Sequence, residues 1–226
     1  MNDTIFCLLK FGKQKYLKNL IDQGEIYFNS PKNFSESVIP EQGDKYEGSR
    51  WVQQIKEPIR VKLEHPTIGV FNFKTCGNSE LIEYNDNFLS YSLFAFTNKC
   101  FNNSSTFSID NKILDCEDYT HCIVIKNPNQ FLMSIQNVLN KSHIQYEGNL
   151  CEYKNIQKTG FHKTGVFVKD YNDFSNQKEF RITIAAKGNE KCKKIYIGNL
   201  SEYCVLVDAE SFVKESVWKA NKCDRV

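Results

Sequence analysis

Asp173-Phe174-Ser175-Asn176-Gln177-Lys178-Glu179-Phe180-Arg181-Ile182-Thr183-Ile184 is a polar loop running into a strand. Phe180, Ile182 and Ile184 alternate with Glu179, Arg181 and Thr183, the period-2 pattern of a half-buried strand. The first set is expected to face the core. Glu179 and Arg181 then share the other face, about 7 Å apart along the strand. A carboxylate and a guanidinium at the mouth of a strand are placed to meet a ligand. A solvated strand face carrying an i, i+2 ion pair explains the same letters, so the rest of the chain has to decide between them.

Working outward, Phe88–Phe96 is the most apolar stretch and reads as a central strand. The chain opens with a strand over 4–9, then a helix from Gly12 to Gln23 with Tyr16, Leu17, Leu20 and Ile21 on one face. Gly24 stops that helix, and Ile26-Tyr27-Phe28 follows as a short strand. The segment 31–43 is polar with Phe34 as its one anchor. Strands are expected at 59–64, 68–74, 80–84, 121–126, 144–153, 165–169, 193–197 and 203–207. Residues 97–118 read as loop-rich, and Gly160–Gly165 as a flexible loop. Asn127-Pro128 starts a second long helix to about Lys141. Asp208 caps a last helix carrying Phe212, Val213, Val217 and Trp218. The class is α+β, with mixed or antiparallel sheets and a few helices in one domain spanning 1–226. Residues 50–86 are read as a β insertion beside the core.

Composition narrows the function classes. The 226 residues carry a net charge of +2, so no global field argues for a polyanion partner. No apolar run reaches the roughly 18 residues of a membrane span, and no signal segment is legible. The nine cysteines are scattered, odd in number and without Cys-x-x-Cys. They read as free thiols of a cytoplasmic protein. No Cys/His spacing suggests a metal, and phosphate-loop, dinucleotide and nucleophile-elbow motifs are absent. His162 is the one histidine weighed for a site role. Lys187, Lys191, Lys193 and Lys194 cluster about a Gly-Asn turn. They read as a solvated hairpin or as a phosphate or RNA contact.

Three pieces occur in order: Leu8-Leu9-Lys10-Phe11, a helix and Gly24-Glu25-Ile26-Tyr27-Phe28-Asn29-Ser30-Pro31-Lys32-Asn33-Phe34, then Gly43-Asp44-Lys45-Tyr46-Glu47-Gly48 followed later by the Phe88–Phe96 strand, then Gln177-Lys178-Glu179-Phe180-Arg181-Ile182. This order resembles a bacterial family of unknown function, and its layout is similar to ADP-ribosyltransferases with their split-sheet core. The resemblance implies an NAD-consuming transferase with Glu179 as the catalytic carboxylate and Gln177 orienting the acceptor. It implies Lys10, Tyr27, Ser90, Tyr91, Ser92 and Arg181 as NAD-binding residues. Lys10 falls where the family has Arg or His. Transferases of this type act as toxins in phage defence, so the resemblance also implies an mRNA acceptor, an antitoxin and a chaperone. The residue chemistry suits the reaction: a carboxylate can stabilise an oxocarbenium-like centre.

Two rival readings stay open. One is a non-enzymatic sensor or interaction module of a defence system, using the aromatic-rich 44–96 region. The other is a metal-dependent nuclease using Asp44, Glu47, Glu179 and Lys178. A protein acceptor remains an alternative to RNA.

Overall fold

Phe88–Thr97 is the strand against which the rest of the chain aligns. The computed structural model describes residues 3–31, 44–56, 60–74, 77–85, 87–101 and 104–219. The chain begins with β1 (Ile5–Gly12), α1 (Gln14–Gln23) and β2 (Glu25–Asn29). It continues through β3 (Ser49–Ile55), β4 (Arg60–His65), β5 (Gly69–Lys74), β6 (Ser79–Tyr84) and β7 (Phe88–Thr97). Next come β8 (Thr106–Phe107), β9 (His121–Ile125), α2 (Pro128–Lys141), β10 (Tyr146–Leu150) and β11 (Glu152–Lys154). The rest is β12 (Gly160–Lys163), β13 (Val168–Asp170), α3 (Tyr171–Phe174) and β14 (Glu179–Ala185). The last elements are β15 (Cys192–Tyr196), β16 (Cys204–Asp208), α4 (Ala209–Glu215) and β17 (Trp218–Lys219).

The main sheet runs β10-β14-β7-β1-β9-β16, with β2 paired to both β7 and β15. Its ladders are antiparallel; among the described residues only β11–β13 is parallel. The protein is therefore α+β with mostly antiparallel sheets. One edge of β7 is fully taken by β14, from Phe88 to Phe94. Its other edge is divided: β2 meets it at Ser90, and β1 only from Phe94 to Thr97. The two strands splay apart across Tyr91–Leu93, and that split opens a cleft.

Each face of the sheet has its own core. Leu8, Tyr91, Leu93 and Ile182 pack on one face beneath Leu17 and Leu20 of α1 and Phe131, Ile135 and Leu139 of α2. Asn127 caps α2 by accepting from the Gln130 N–H, and Pro128 sits where its missing N–H costs nothing. Cys7, Leu9, Phe94 and Phe96 face the second core with Ile113 and Val213. Fully burying one such side chain stabilises by roughly 1.5–3 kcal/mol.

Several expectations are corrected. β14 is not half-buried: Glu179 is 4% and Arg181 1% exposed, because the 44–48 turn and β13 cover the second face. Gly160–Lys163, expected to be loop, is strand β12 and pairs with β3. Together with β6 they form a separate three-stranded sheet. The 144–153 strand is two strands, since β10 ends at Leu150 and β11 pairs elsewhere. The last helix stops at Glu215; Trp218 instead joins β17 and stacks on Phe96 with ring centroids 4.2 Å apart. Tyr16 is exposed rather than buried with Leu17 and Leu20. Phe34, Cys76 and Cys223 lie outside the described residues. The described cysteines are all free thiols, and no described helix is long and apolar enough to cross a membrane.

Candidate functional site

A cleft of about 630 Å³ opens at the split. Its walls bring together every residue expected to form the site: Lys10, Tyr27, Ser90, Tyr91, Ser92, Gln177, Glu179 and Arg181. The register explains why. Ser92 lies opposite Arg181 on β14, with Glu179 two residues away on the same face, and Asn29 of β2 lies opposite Ser90.

Glu179 is held on all sides. Its Oε1 accepts from the Ser92 hydroxyl and from Arg181 Nε at 2.7 Å; its Oε2 accepts from Lys169 Nζ at 3.0 Å. Its own N–H donates to the Tyr153 hydroxyl, and its carbonyl accepts from Cys151 N–H. Burial alone would raise its carboxyl, but Arg181 and Lys169 overcome that and hold it well below the usual range. A carboxylate has about four acceptor positions. Three are filled, which leaves Oε2 able to accept one more hydroxyl.

Arg181 is committed to the protein. Beyond Glu179 it donates from Nη2 to Glu47 Oε2 at 2.9 Å and from Nη1 to the Val166 carbonyl at 2.5 Å. Its Nη1 also lies 2.8 Å from Glu47 Oε1, an ion contact without hydrogen-bond alignment. Arg181 therefore positions the glutamates first. Burial pushes the carboxyls of Glu47 and Asp44 up, against the attraction of Arg181 and Lys169. Lys169 also donates to Gln177 Oε1 at 2.7 Å and lies 4.6 Å from the centre of the Phe174 ring. Despite burial, its ammonium is held above its ordinary value by Glu179 and Glu47.

The 44–48 turn delivers Glu47 by local chemistry. Asp44 Oδ1 accepts from Tyr46 N–H, its carbonyl accepts from Glu47 N–H, and Ser49 Oγ donates to the Tyr46 carbonyl. Gly48 closes the turn at φ +76°, with Pro31 Cβ only 2.5 Å from where a Cβ would stand.

Lys10 crosses the split. Its Nζ donates to the Ser92 carbonyl at 2.8 Å, satisfying backbone that β1 no longer pairs, and lies 4.6 Å from the Tyr91 ring centre. Burial lowers its ammonium to about 8, with Glu179 opposing the fall. Ser90 Oγ and Tyr91 OH are buried and unpartnered among the described residues, although both residues line the cleft. The Ser90 hydroxyl, on the Glu179 face of β7, and Glu47 Oε1 are unfilled polar atoms that a polar ligand would complete.

The nuclease constellation does not assemble as expected. Lys169, not Lys178, reaches Glu179, and Lys178 is an exposed left-handed residue at φ 44°. Two cations stand among Asp44, Glu47 and Glu179, and among the described residues no group of three or more His, Cys, Asp or Glu could hold a metal. His162 is half-exposed in β12 and bonds the Lys158 carbonyl, outside the cleft. Sequence reasoning missed Lys169 and Tyr153 altogether. The one available signal for Lys169 was a lysine following the apolar run Val166-Phe167-Val168.

No protein-family model matches the chain, and no curated protein or solved structure matches it either.

Proposed function

We propose that the chain is an NAD-dependent ADP-ribosyltransferase with a nucleic-acid acceptor. The observation that carries this reading is Glu179: an ionised, buried carboxylate at a cleft, fixed by Ser92, Arg181 and Lys169, with one acceptor position left. Such a group stabilises positive charge developing at a ribose C1′ while accepting from a ribose hydroxyl. The C1′–nitrogen bond breaks with its electron pair going to nicotinamide, and the acceptor's lone pair forms the new bond to C1′. The acceptor's proton leaves to solvent, since a carboxylate held so far below its ordinary value is a charge stabiliser and a poor base. Gln177, tethered through Lys169, stands beside Glu179 to orient the acceptor. Lys10, a cation at the cleft wall, suits the diphosphate. Ser90 supplies an unfilled hydroxyl, and the volume lies in the range of small-molecule sites, about 300–1,000 Å³. A role as a phage-defence toxin held by an antitoxin and a chaperone follows from the resemblance alone.

The test is mass spectrometry of cellular RNA and protein after expression of the native chain and of Glu179→Gln. ADP-ribose on RNA with the native chain only is the expected result. Unmodified RNA and protein at equal expression would refute the transferase reading; modified protein alone would replace the acceptor.

A further inference from the structure

The lysine cluster around the Gly188-Asn189 turn is brought to the rim of the cleft by the pairing of β15 with β2. Lys194 lies opposite Tyr27 and Tyr196 opposite Glu25, so Tyr27, Lys194, Tyr196 and Glu25 share one face of the ribbon. Tyr27 and Tyr196 are 43% and 52% exposed on that face. Sheet geometry puts such diagonal neighbours about 7–8 Å apart. Tyr196 donates to Glu25 Oε2 at 3.4 Å, which tethers that ring at its tip. Lys187 and Lys191 are exposed on the approach to β15. Tyr27, Lys194, Glu25 and Asn29 also line the cleft that holds Glu179.

We infer that this ribbon face is the docking platform for the acceptor, a single-stranded nucleic acid whose bases stack on Tyr27 and Tyr196 while its phosphates follow Lys187, Lys191 and Lys194. The inference rests on the transferase reading for its purpose, but the binding it describes is independent of turnover. Exposed aromatics on an open sheet face beside a basic stripe are how proteins hold unpaired bases without reading their sequence. Two carboxylates temper the charge: Glu25 pairs with Lys194 at 2.9 Å and Glu190 with Lys193 at 3.0 Å. Glu190 is taken by Lys193, and Lys187, Lys191 and Lys194 against Glu25 leave the platform positive. Duplex is a poor fit, because its bases are already stacked and offer no free face.

The test is fluorescence anisotropy of a short labelled single-stranded RNA of mixed sequence, titrated with the full chain at several salt concentrations. The native chain is expected to bind, and Tyr196→Ala to weaken binding about tenfold. Tyr196→Phe should keep it, since the ring is retained. Lys187→Ala with Lys191→Ala should lower the salt slope by about 1.4, about 0.7 for each phosphate contact removed. All three positions lie outside the cleft wall, so nicotinamide release from NAD without acceptor should be unchanged in these variants. No RNA binding by the native chain, tighter binding of duplex, or unchanged affinity in Tyr196→Ala overturns the inference. If nicotinamide release is intact at the same time, the transferase reading survives and its acceptor is a protein.

Discussion

Replacing Arg181 with methionine tests how the site is held together. The side chain is almost fully buried and joins Glu179, Glu47 and the Val166 carbonyl. Methionine keeps much of the volume and removes the charge, so Glu179 and Glu47 would face each other with Lys169 as the nearest cation. Removing one partner of a buried ion pair costs about 3–5 kcal/mol, because the other charge stays buried and uncompensated. In a chain of this length each kcal/mol is worth about 2–4 °C in Tm, so a fall of about 10 °C is expected. The pH dependence gives the sharper signature. In the native chain the folded Glu179 carboxyl lies below its unfolded value of about 4.3. It therefore contributes stability that is present above that pH and lost as the pH falls further. Without Arg181, Lys169 and Ser92 alone oppose burial, so the folded value rises toward the unfolded one and that stability shrinks. Glu47, already raised by burial, moves the same way. The Tm gap between native and variant chains should therefore be wider at pH 7 than at pH 4. Adding Glu179→Gln to Arg181→Met should recover part of the loss, because it removes one uncompensated charge. Thermal unfolding followed by circular dichroism at the two pH values measures this. A Tm within 2 °C of native, or a gap equal at both pH values, would refute the reasoning.

Lys10 loses its charge as the pH rises through about 8, so the KM for NAD should climb above that pH; Lys10→Arg should flatten the profile, and an unchanged profile would remove Lys10 from diphosphate binding. Gly48→Ala must place a Cβ 2.5 Å from Pro31 Cβ at a positive φ, a strain of about 1–3 kcal/mol; it should lower Tm and weaken turnover together by displacing Glu47, and chemical denaturation beside an activity assay checks both. Excising 60–74, whose strand residues in β4 and β5 are all exposed, should change Tm by less than about 2 °C, since a lone hairpin adds little stability in water; a large fall would mean the hairpin supports the core.

The sequence made the main sheet legible where one strand carried its own signal. Phe180, Ile182 and Ile184 announced β14, and the apolar run from Phe88 announced β7. Helix α2 was readable from Asn127-Pro128 and the spacing of Phe131, Ile135 and Leu139. The second face of β14 was not legible, because its cover comes from residues distant in the chain. Glu47 is 134 residues from Arg181, and no local pattern tells a solvated Glu-x-Arg face from one closed by a remote turn. The same limit hid Lys169, whose value lies in meeting Glu179. Trp218 was placed on a helix by spacing, whereas its ring packs on Phe96, a contact that outweighs one more helical turn. The site residues themselves were legible as a set only through their order along the chain. What joins them is the division of one edge of β7 between β1 and β2.

The most direct measurement is nicotinamide release from NAD by the purified native chain and by Glu179→Gln, with folding of both checked by circular dichroism. Glutamine keeps the shape and can still accept from Ser92, but it lacks the charge that the proposed chemistry needs. Release by the native chain and loss of at least a hundredfold in the folded variant is the expected outcome. Equal release by both chains, or none by the native chain at millimolar NAD, would contradict the assignment of Glu179 and of the cleft.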